Sequence, residues 1–204
     1  MNGLFLIMQK KSLSLQAFRA IAFIFLCFLA FSAPVYAQQL TQPVNQGQQN
    51  PLLKGQMSSF KFLPAPKEIP ELTFKDAAGQ PVALSAFRGK LVLLTLWATW
   101  CPYCARELPT LDNLQDALGK EKFMVLPISV DKEGSGFVKK YLQEKSLNLP
   151  TYSDSRNTIG KIMGSRGIPC SFLIDQSGRQ IGFISGETDW AAPESIELLK
   201  AFIR

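Results

Sequence analysis

Apolar residues along this chain are grouped into short runs whose spacing predicts alternating strands and helices. Residues 91–97 and 123–130 are almost continuously apolar, which is typical of strands that are covered on both faces. Residues 107–118 lie between them and repeat apolar positions every three or four residues, as an amphipathic helix does. The pattern therefore predicts a central sheet that is packed between helices.

Shorter segments complete this mixed α/β pattern. Two hairpins are predicted, around the turns at 76–79 and 176–178, because each turn ends in glycine between short apolar segments. In the helix predicted next after the central strands, we expect Phe137, Tyr141 and Leu142 to face the core. The remaining predicted elements are a short strand at 150–152 and helices at 137–145, 157–163 and 193–203. This order predicts a three-layer sandwich with a central mixed sheet and an N-terminal β-hairpin extension.

The first 63 residues differ in kind from the rest of the chain. Lys10, Lys11 and Arg19 precede or open an apolar run, and small residues end it before Ala37. We therefore expect a signal peptide at 1–37, with an uncleaved membrane anchor as the alternative. Residues 38–63 are rich in Gln, Asn and Pro and are expected to form a flexible linker, which places the folded domain at 64–204.

Composition excludes several kinds of function. Without the three basic residues of the leader, 19 basic residues remain against 16 acidic ones, and they form no stripe interleaved with aromatic residues. Nucleic-acid binding is therefore not supported. The chain has no histidine, which excludes haem attachment at Cys-X-X-Cys-His, imidazole metal sites and Ser-His or Cys-His catalysis. We expect no metal site and no cofactor.

The chemistry is expected where a predicted strand gives way to a helix, at Trp100-Cys101-Pro102-Tyr103-Cys104. Unpaired N–H groups and the dipole at a helix N terminus stabilise negative charge, so the pKa of Cys101 should be lowered and its thiolate should attack. Cys104, one turn further on, would then resolve the mixed disulfide. An inert structural disulfide is the alternative, but so short a ring removes little chain entropy.

Residues 96–109, Leu-Trp-Ala-Thr-Trp-Cys-Pro-Tyr-Cys-Ala-Arg-Glu-Leu-Pro, resemble the active-site segment of one protein family. That family is the TlpA/ResA/CcmG branch of extracytoplasmic thioredoxin-like proteins, and the chain looks most like TlpA. The segments Gly167-Ile168-Pro169 and 172–175 match further motifs in the family's order, so the similarity runs from about residue 64 to residue 204. It implies a thioredoxin-like fold and thiol:disulfide oxidoreductase activity.

The resemblance also assigns roles to single residues. Cys101 and Cys104 match the redox pair. Pro169 matches a loop proline that is cis in this fold and faces the pair, which makes the backbone of Ile168 the candidate for pairing with a client chain. Glu107 matches an acid that tunes the cysteines or relays a proton in several members; a solvated carboxylate in the first helical turn is the alternative.

Two positions depart from related sequences. Thr95 stands where cytoplasmic thioredoxins carry a buried aspartate, so any assisted proton transfer at the inner cysteine would use Glu107 or water. Cys170 follows the loop proline, where many relatives carry Thr or Ser. It is either a buried thiol that packs as a small apolar group or a third redox participant near the pair.

The residues around the two cysteines indicate which side chains contact the substrate and whether the protein reduces or oxidises it. Trp100, Pro102 and Tyr103 are expected to contact the substrate, with Trp100 shielding the pair. The strong oxidant DsbA resembles this fold but carries Cys-Pro-His-Cys, whose imidazole stabilises the reduced form. Tyr103 cannot do so, which favours a reductant.

The sequence therefore predicts a periplasmic thiol:disulfide oxidoreductase that reduces client disulfides during maturation of cytochromes or cytochrome oxidase. Expected partners are apocytochromes or copper-delivery and oxidase subunits as clients, and a membrane thiol protein as electron donor. We expect a monomer, exported or tethered to the inner membrane. The alternatives are a peroxiredoxin-like peroxidase and a non-catalytic peptide-binding module. The peroxidase would need a threonine three residues before its cysteine, whereas Thr99 is two before Cys101.

Overall fold

The computed structural model describes residues 50–203, so the predicted signal peptide and the first part of the predicted linker lie outside the described residues. The strands are β1 (Lys61–Lys67), β2 (Thr73–Lys75), β3 (Pro81–Ala83), β4 (Leu91–Trp97), β5 (Phe123–Ser129), β6 (Tyr152–Ser153), β7 (Cys170–Ile174) and β8 (Gln180–Ser185). The α-helices are α1 (Pro102–Leu118), α2 (Ser135–Glu144), α3 (Thr158–Met163) and α4 (Pro193–Lys200), with 3₁₀ turns at Gly55–Ser59 and Leu84–Phe87. Within residues 50–203, no helix combines the length and the apolar character needed to cross a bilayer.

The strands form one mixed sheet in the order β1-β8-β7-β4-β5-β6-β2-β3. Strand β4 lies at its centre, parallel to β5 and antiparallel to β7, and every residue of β4 is buried, as its continuous apolar run predicts. Helices α1, α2 and α4 contribute to the apolar cluster on one face, and α3 contributes to the cluster on the other. The predicted central mixed sheet flanked by helices is thereby confirmed.

The predicted N-terminal β-hairpin is present at one edge of the sheet. Strands β2 and β3 pair antiparallel with Phe74 opposite Val82, and β2 continues the sheet through the pairing of Lys75 with Ser153. The turn closes because one carboxylate oxygen of Asp76 accepts from two backbone N–H groups, those of residues 78 and 80, each at 2.9 Å.

The prediction that residues 38–63 form a flexible linker was wrong for the part that the structure describes. Met57 and Phe60 are buried in the main apolar cluster, and the compact unit begins at Asn50. Strand β1, which starts at Lys61, pairs with β8 at the other edge of the sheet. Two prolines within β1 argue against a strand when only the sequence is considered. Proline is tolerated in a strand only where its missing N–H leaves no hydrogen bond of the sheet unmade, as at a sheet edge.

The inward face of α2 also differs from the prediction. Phe137 is 46% exposed, whereas Val138 and Leu142 are buried. The helix starts two residues earlier than predicted, at Ser135, and residues 135, 138 and 142 share the buried face with helical spacing. Tyr141 packs at the margin of this face against Trp97, with 5.8 Å between ring centroids.

Candidate active site

Cys101 and Cys104 are joined in a disulfide where β4 gives way to α1. Cys101 is the N-cap of the helix, and its Sγ lies 3.2 Å from the backbone N of Cys104, which donates toward it. Pro102 occupies the first helical position, where a missing N–H leaves no bond unmade. A sulfur held at this position faces both an N–H donor and the positive end of the helix dipole, the surroundings that stabilise a thiolate.

Two aromatic side chains stand beside the buried disulfide. Trp100 is 69% exposed and Tyr103 is 58% exposed, so both rings present most of their surface to solvent. The guanidinium of Arg106 lies 4.8 Å from the centroid of the Tyr103 ring and forms a two-bond ion pair with Glu187. Both rings are therefore available to a protein that docks at the disulfide.

The loop before β7 faces the same disulfide. The Ile168–Pro169 peptide bond is cis, as predicted. The carbonyl oxygen of Ile168 lies 3.9 Å from Cys101 Sγ, and the N–H of Ile168 has no backbone partner among the described residues. The loop is held in place because the Pro169 carbonyl accepts from the N–H of Gly186 at 3.0 Å. A free backbone edge therefore borders the sulfur that is predicted to attack.

Glu107 is buried one helical turn after Cys104, at 2% exposure. The indole N–H of Trp190 donates to its Oε1, and its Oε2 has no partner among the described residues. Burial raises the pKa of Glu107 to about 8, against the lowering effect of the Trp190 bond, and the negative charge of Glu187 raises it further. The interpretation of Glu107 as a solvated carboxylate is not supported, because the carboxyl is enclosed and holds a proton at neutral pH.

Two neutral hydroxyl groups lie where cytoplasmic thioredoxins carry a buried aspartate. The hydroxyls of Thr95 and Ser171 lie 2.8 Å apart across β4 and β7, and both residues are buried. Thr95 alternates with Leu93 and Trp97 along β4, which places it on the same face of the sheet as the redox pair. The buried acid that α1 supplies on this side of the sheet is Glu107.

Sequence reasoning missed two residues that hold the site in place. Asp131, fully buried after β5, accepts from the backbone N–H and the hydroxyl of Thr99 at 3.0 and 2.7 Å, and so fixes the segment before Cys101. Trp190 is the partner of Glu107. A carboxylate at the end of a buried strand and a tryptophan in a polar loop both need hydrogen-bond partners, and that need is the signal in the sequence that could have identified them. The partners themselves lie 32 and 83 residues away.

Cys170 begins β7 and is 2% exposed. Its side chain belongs to the apolar cluster on the face of the sheet opposite to Cys101 and Cys104. Burial raises the pKa of its thiol, and its Sγ lies 3.6 Å from the Ser185 hydroxyl. These surroundings favour the interpretation of Cys170 as a buried neutral thiol.

Replacing Cys170 with alanine is therefore expected to leave the reduction potential of the pair unchanged to within about 10 mV. The potential is measured by equilibrating the protein with glutathione buffers and counting thiols after acid quenching. In the reduced wild type, an alkylating reagent at pH 7 should modify Cys101 rapidly and Cys170 only after denaturation, and Cys101→Ala serves as the control that loses the rapid phase. A shift of more than about 30 mV in the potential would support a third redox participant instead.

A strand that ends at a Cys-X-X-Cys pair, a helix that starts there and a proline loop that faces the attacking sulfur define a thioredoxin-fold thiol–disulfide oxidoreductase. Among residues 50–203, no three His, Cys, Asp or Glu side chains are grouped so as to bind a metal ion. A protein-family model described as the AhpC/TSA family matches residues 66–179. The chain belongs to this family.

Individual relatives agree with this class. The chain is 31% identical over 136 residues to the thiol-disulfide oxidoreductase ResA of Bacillus cereus, covering 67% of this chain and 78% of that protein. The crystal structure of a thiol:disulfide interchange protein DsbE from Chlorobium tepidum superposes with a TM-score of 0.58 at 26% identity, over 69% of this chain and 96% of the other. StoA from Bacillus subtilis shares the fold, with a TM-score of 0.54 at 22% identity over 68% and 100% of the two chains. The predicted fold and the predicted thiol–disulfide oxidoreductase activity are confirmed.

Proposed function

We propose that this protein is an exported reductase, which uses the Cys101–Cys104 dithiol to reduce disulfides of client proteins during maturation of cytochromes or of cytochrome oxidase. The observation that carries the proposal is the free backbone edge of Ile168, whose carbonyl lies 3.9 Å from Cys101 Sγ. An extended client segment that pairs with this edge brings its own disulfide against the attacking sulfur. The signal-like pattern at 1–37 supports export.

The reaction proceeds through a mixed disulfide. The Cys101 thiolate attacks one sulfur of the client disulfide, breaks that S–S bond and releases the other client sulfur as a thiolate. Cys104 then loses its proton and attacks Cys101 Sγ, which releases the second client sulfur as a thiolate and forms the Cys101–Cys104 disulfide; both client thiolates take their protons from water. Two electrons pass from the protein to the client, and a membrane thiol protein is the proposed donor that restores the dithiol.

In this proposal Glu107, in the fraction of molecules in which it is ionised, accepts the proton that Cys104 must lose, because a carboxyl with a pKa near the working pH can both take up and return a proton. It is the buried carboxyl nearest along α1, one turn further on, and its hydrogen-bond partner within residues 50–203 is Trp190. The structure holds the oxidised pair, and in this state burial raises the pKa of Glu107 to about 8, so the carboxyl retains the transferred proton at neutral pH. During regeneration the same proton returns to Cys104 as it leaves the disulfide.

The residues between the cysteines and the charges on α1 favour the reducing direction. A disulfide is strongly oxidising when the reduced form is stabilised, chiefly by cationic groups near the thiolate. The chain has no histidine, and the nearest cation along the helix, Arg106, is neutralised by its ion pair with Glu187. Tyr103 is exposed and offers no charge to the sulfur.

The reduction potential tests the proposed direction. We expect a value more negative than about −200 mV, against about −120 mV for the strong oxidant DsbA. The measurement equilibrates the purified protein with glutathione buffers and determines the oxidised fraction from intrinsic tryptophan fluorescence. A potential near that of DsbA would overturn the reductase proposal.

The two alternative functions are tested separately, the peroxidase with the purified protein and the binding module in cells. The hydroxyl of Thr99 donates to Asp131 at 2.7 Å, so this threonine is committed to the loop and not to a peroxide beside Cys101. We therefore expect no peroxide consumption at catalytic protein concentrations. A binding module would act without its thiols, so a Cys101→Ser/Cys104→Ser variant that complements a deletion strain would favour that alternative.

A further inference from the structure

A groove of about 430 Å³ opens beside the redox pair. Trp100 and Ile168 form its apolar part, and Lys132, Arg156 and Arg166 supply its charged part. We call this surface the basic groove. Because Ile168 also provides the free backbone edge next to Cys101, a client that pairs with this edge must lay neighbouring side chains into the basic groove.

The charge of the basic groove is of one sign and uncompensated. None of its three cations forms an ion pair among the described residues, whereas four ion pairs are present elsewhere in residues 50–203. Of the acids nearest along the chain, Asp131 and Asp154 are buried and bonded inward, to the Thr99 segment and to the N–H of residue 159. Glu133, which follows Lys132, is exposed, but it does not line the groove and forms no ion pair within residues 50–203. In the part of the chain that the structure describes, no carboxylate lines the groove.

This segregation contrasts with the whole chain, where acidic and basic residues are nearly balanced once the leader is set aside. Three unpaired cations around an apolar surface attract anionic groups and speed their association, an effect that salt screens. The aromatic ring of Trp100 adds contact area, and because an aromatic face attracts cations, though weakly at an exposed site, it cannot account for a preference for acidic clients. The discriminating element is therefore the group of Lys132, Arg156 and Arg166.

We propose that the basic groove selects clients whose target disulfide is flanked by acidic side chains. The proposal rests on the proposed function and names its substrate class: extended segments with Asp or Glu within a few residues of the cysteine that Cys101 attacks. The groove contributes to client choice through association, and the transfer of electrons stays with the two thiols.

The test uses two peptides that differ only in charge. Each contains the same Cys-X-X-Cys disulfide, flanked on both sides by Asp and Glu in one peptide and by Lys in the other. The full-length protein is reduced beforehand, and the second-order rate constant of a single turnover is followed by tryptophan fluorescence in stopped flow. At low salt we expect the acidic peptide to react about 10-fold faster or more, and at about 1 M salt we expect the two rates to converge.

Variants assign the preference to the groove. Arg156→Gln/Arg166→Gln should reduce the ratio of the two rates toward 1, and Arg156→Glu/Arg166→Glu should invert it. The matched control, Lys139→Gln/Lys200→Gln, removes the same charge from exposed positions on α2 and α4 and should leave the ratio unchanged. The ratio is informative because both peptides meet the same thiolate, so any change in the reactivity of Cys101 cancels. Circular dichroism of each variant confirms folding.

Two results would overturn the proposal. Equal rates for the two peptides in the wild type at low salt would remove the charge preference while leaving the proposed function intact. A preference that survives in the Arg156→Gln/Arg166→Gln variant, or that the control variant abolishes equally, would show that the net charge of the protein acts instead of the groove. Reduction of neither peptide by the reduced wild type would refute the proposed function itself.

Discussion

Replacing Cys101 with serine is expected to lower the rate of disulfide reduction by more than about 10³-fold, to background, because a hydroxyl at this position is not ionised and cannot attack a disulfide. The helix N terminus that stabilises a thiolate at Cys101 cannot bring a serine hydroxyl into the range where it ionises. The measurement is a single-turnover reduction of a fluorogenic disulfide peptide by the prereduced variant.

The Cys104→Ser variant is expected to behave differently. Its Cys101 still attacks, but nothing resolves the product, so the client should remain bound as a mixed disulfide that survives non-reducing electrophoresis and is released by dithiothreitol. Mass spectrometry of the trapped species then identifies the client. Cys170→Ser is the matched control, because it makes the same chemical change on the opposite face of the sheet and should neither trap clients nor slow the reaction.

The opposite result would reverse the roles of the two thiols. If Cys101→Ser accumulates mixed disulfides and Cys104→Ser does not, then the inner cysteine is the nucleophile. Burial argues against this outcome, since Cys104 is the less exposed of the two and lies one helical turn before the enclosed carboxyl of Glu107. A nucleophile must also be reachable by its client, and Cys101 borders the free backbone edge at Ile168.

Replacing Glu107 with glutamine is expected to remove much of the pH dependence of the stability of the oxidised protein. The pKa of this carboxyl is about 8 in the fold and near 4.5 in the unfolded chain, so between these values only the folded state holds the proton. The contribution of Glu107 to stability is therefore complete below pH 4.5 and is lost as the pH rises toward 8. The loss is at most about 1.4 kcal/mol per pH unit and roughly 3–5 kcal/mol in total.

Denaturant unfolding of the oxidised protein from pH 5 to pH 9 measures this effect. The amide that Glu107→Gln introduces does not titrate and still accepts from the Trp190 indole, so the variant should equal the wild type at pH 5 and exceed it at pH 9. The matched control is Glu121→Gln, which alters an exposed carboxylate and should leave the wild-type slope in place. Parallel profiles for wild type and Glu107→Gln would contradict the raised pKa.

The same variant tests the proposed proton transfer. If Glu107 accepts the proton of Cys104, resolution of a mixed disulfide should slow by about 100-fold in Glu107→Gln, while the initial attack by Cys101 should keep its rate. Rapid-quench separation of the two steps makes the distinction. Slowing of both steps by the same factor would indicate that Glu107 supports the structure of the site without relaying a proton.

Local chemistry explains why some features could be predicted from the sequence. The continuous apolar runs of β4 and β5 indicate strands buried on both faces, and the two cysteines lie at the boundary between a strand and a helix. These features depend on residues that are adjacent in the chain. For that reason, the central elements and the redox pair were predicted in the right places, whereas the cis geometry and placement of the loop proline Pro169 were predicted from the resemblance to a known family.

Features that depend on distant partners could not be predicted in this way. The sequence of β1 is like that of a linker because it contains prolines and polar residues. It forms a strand through its pairing with β8. The orientation of α2 was misjudged at Phe137 because the buried stripe is decided by where the helix meets the core. Both errors arose at places where packing against another part of the chain overrides the local pattern.

The amino-acid sequence by itself determined that this protein carries two thiols at a strand-to-helix junction, in a chain without histidine. These features depend only on which residues are present and which are adjacent in the chain. The tertiary structure decided how those thiols are used. It buried Glu107 against Trp190, placed Cys170 on the opposite face of the sheet, and gathered Lys132, Arg156 and Arg166 beside Ile168. The physical reason is that desolvation and charge grouping depend on which distant residues share a small volume, and spacing along the chain does not specify that.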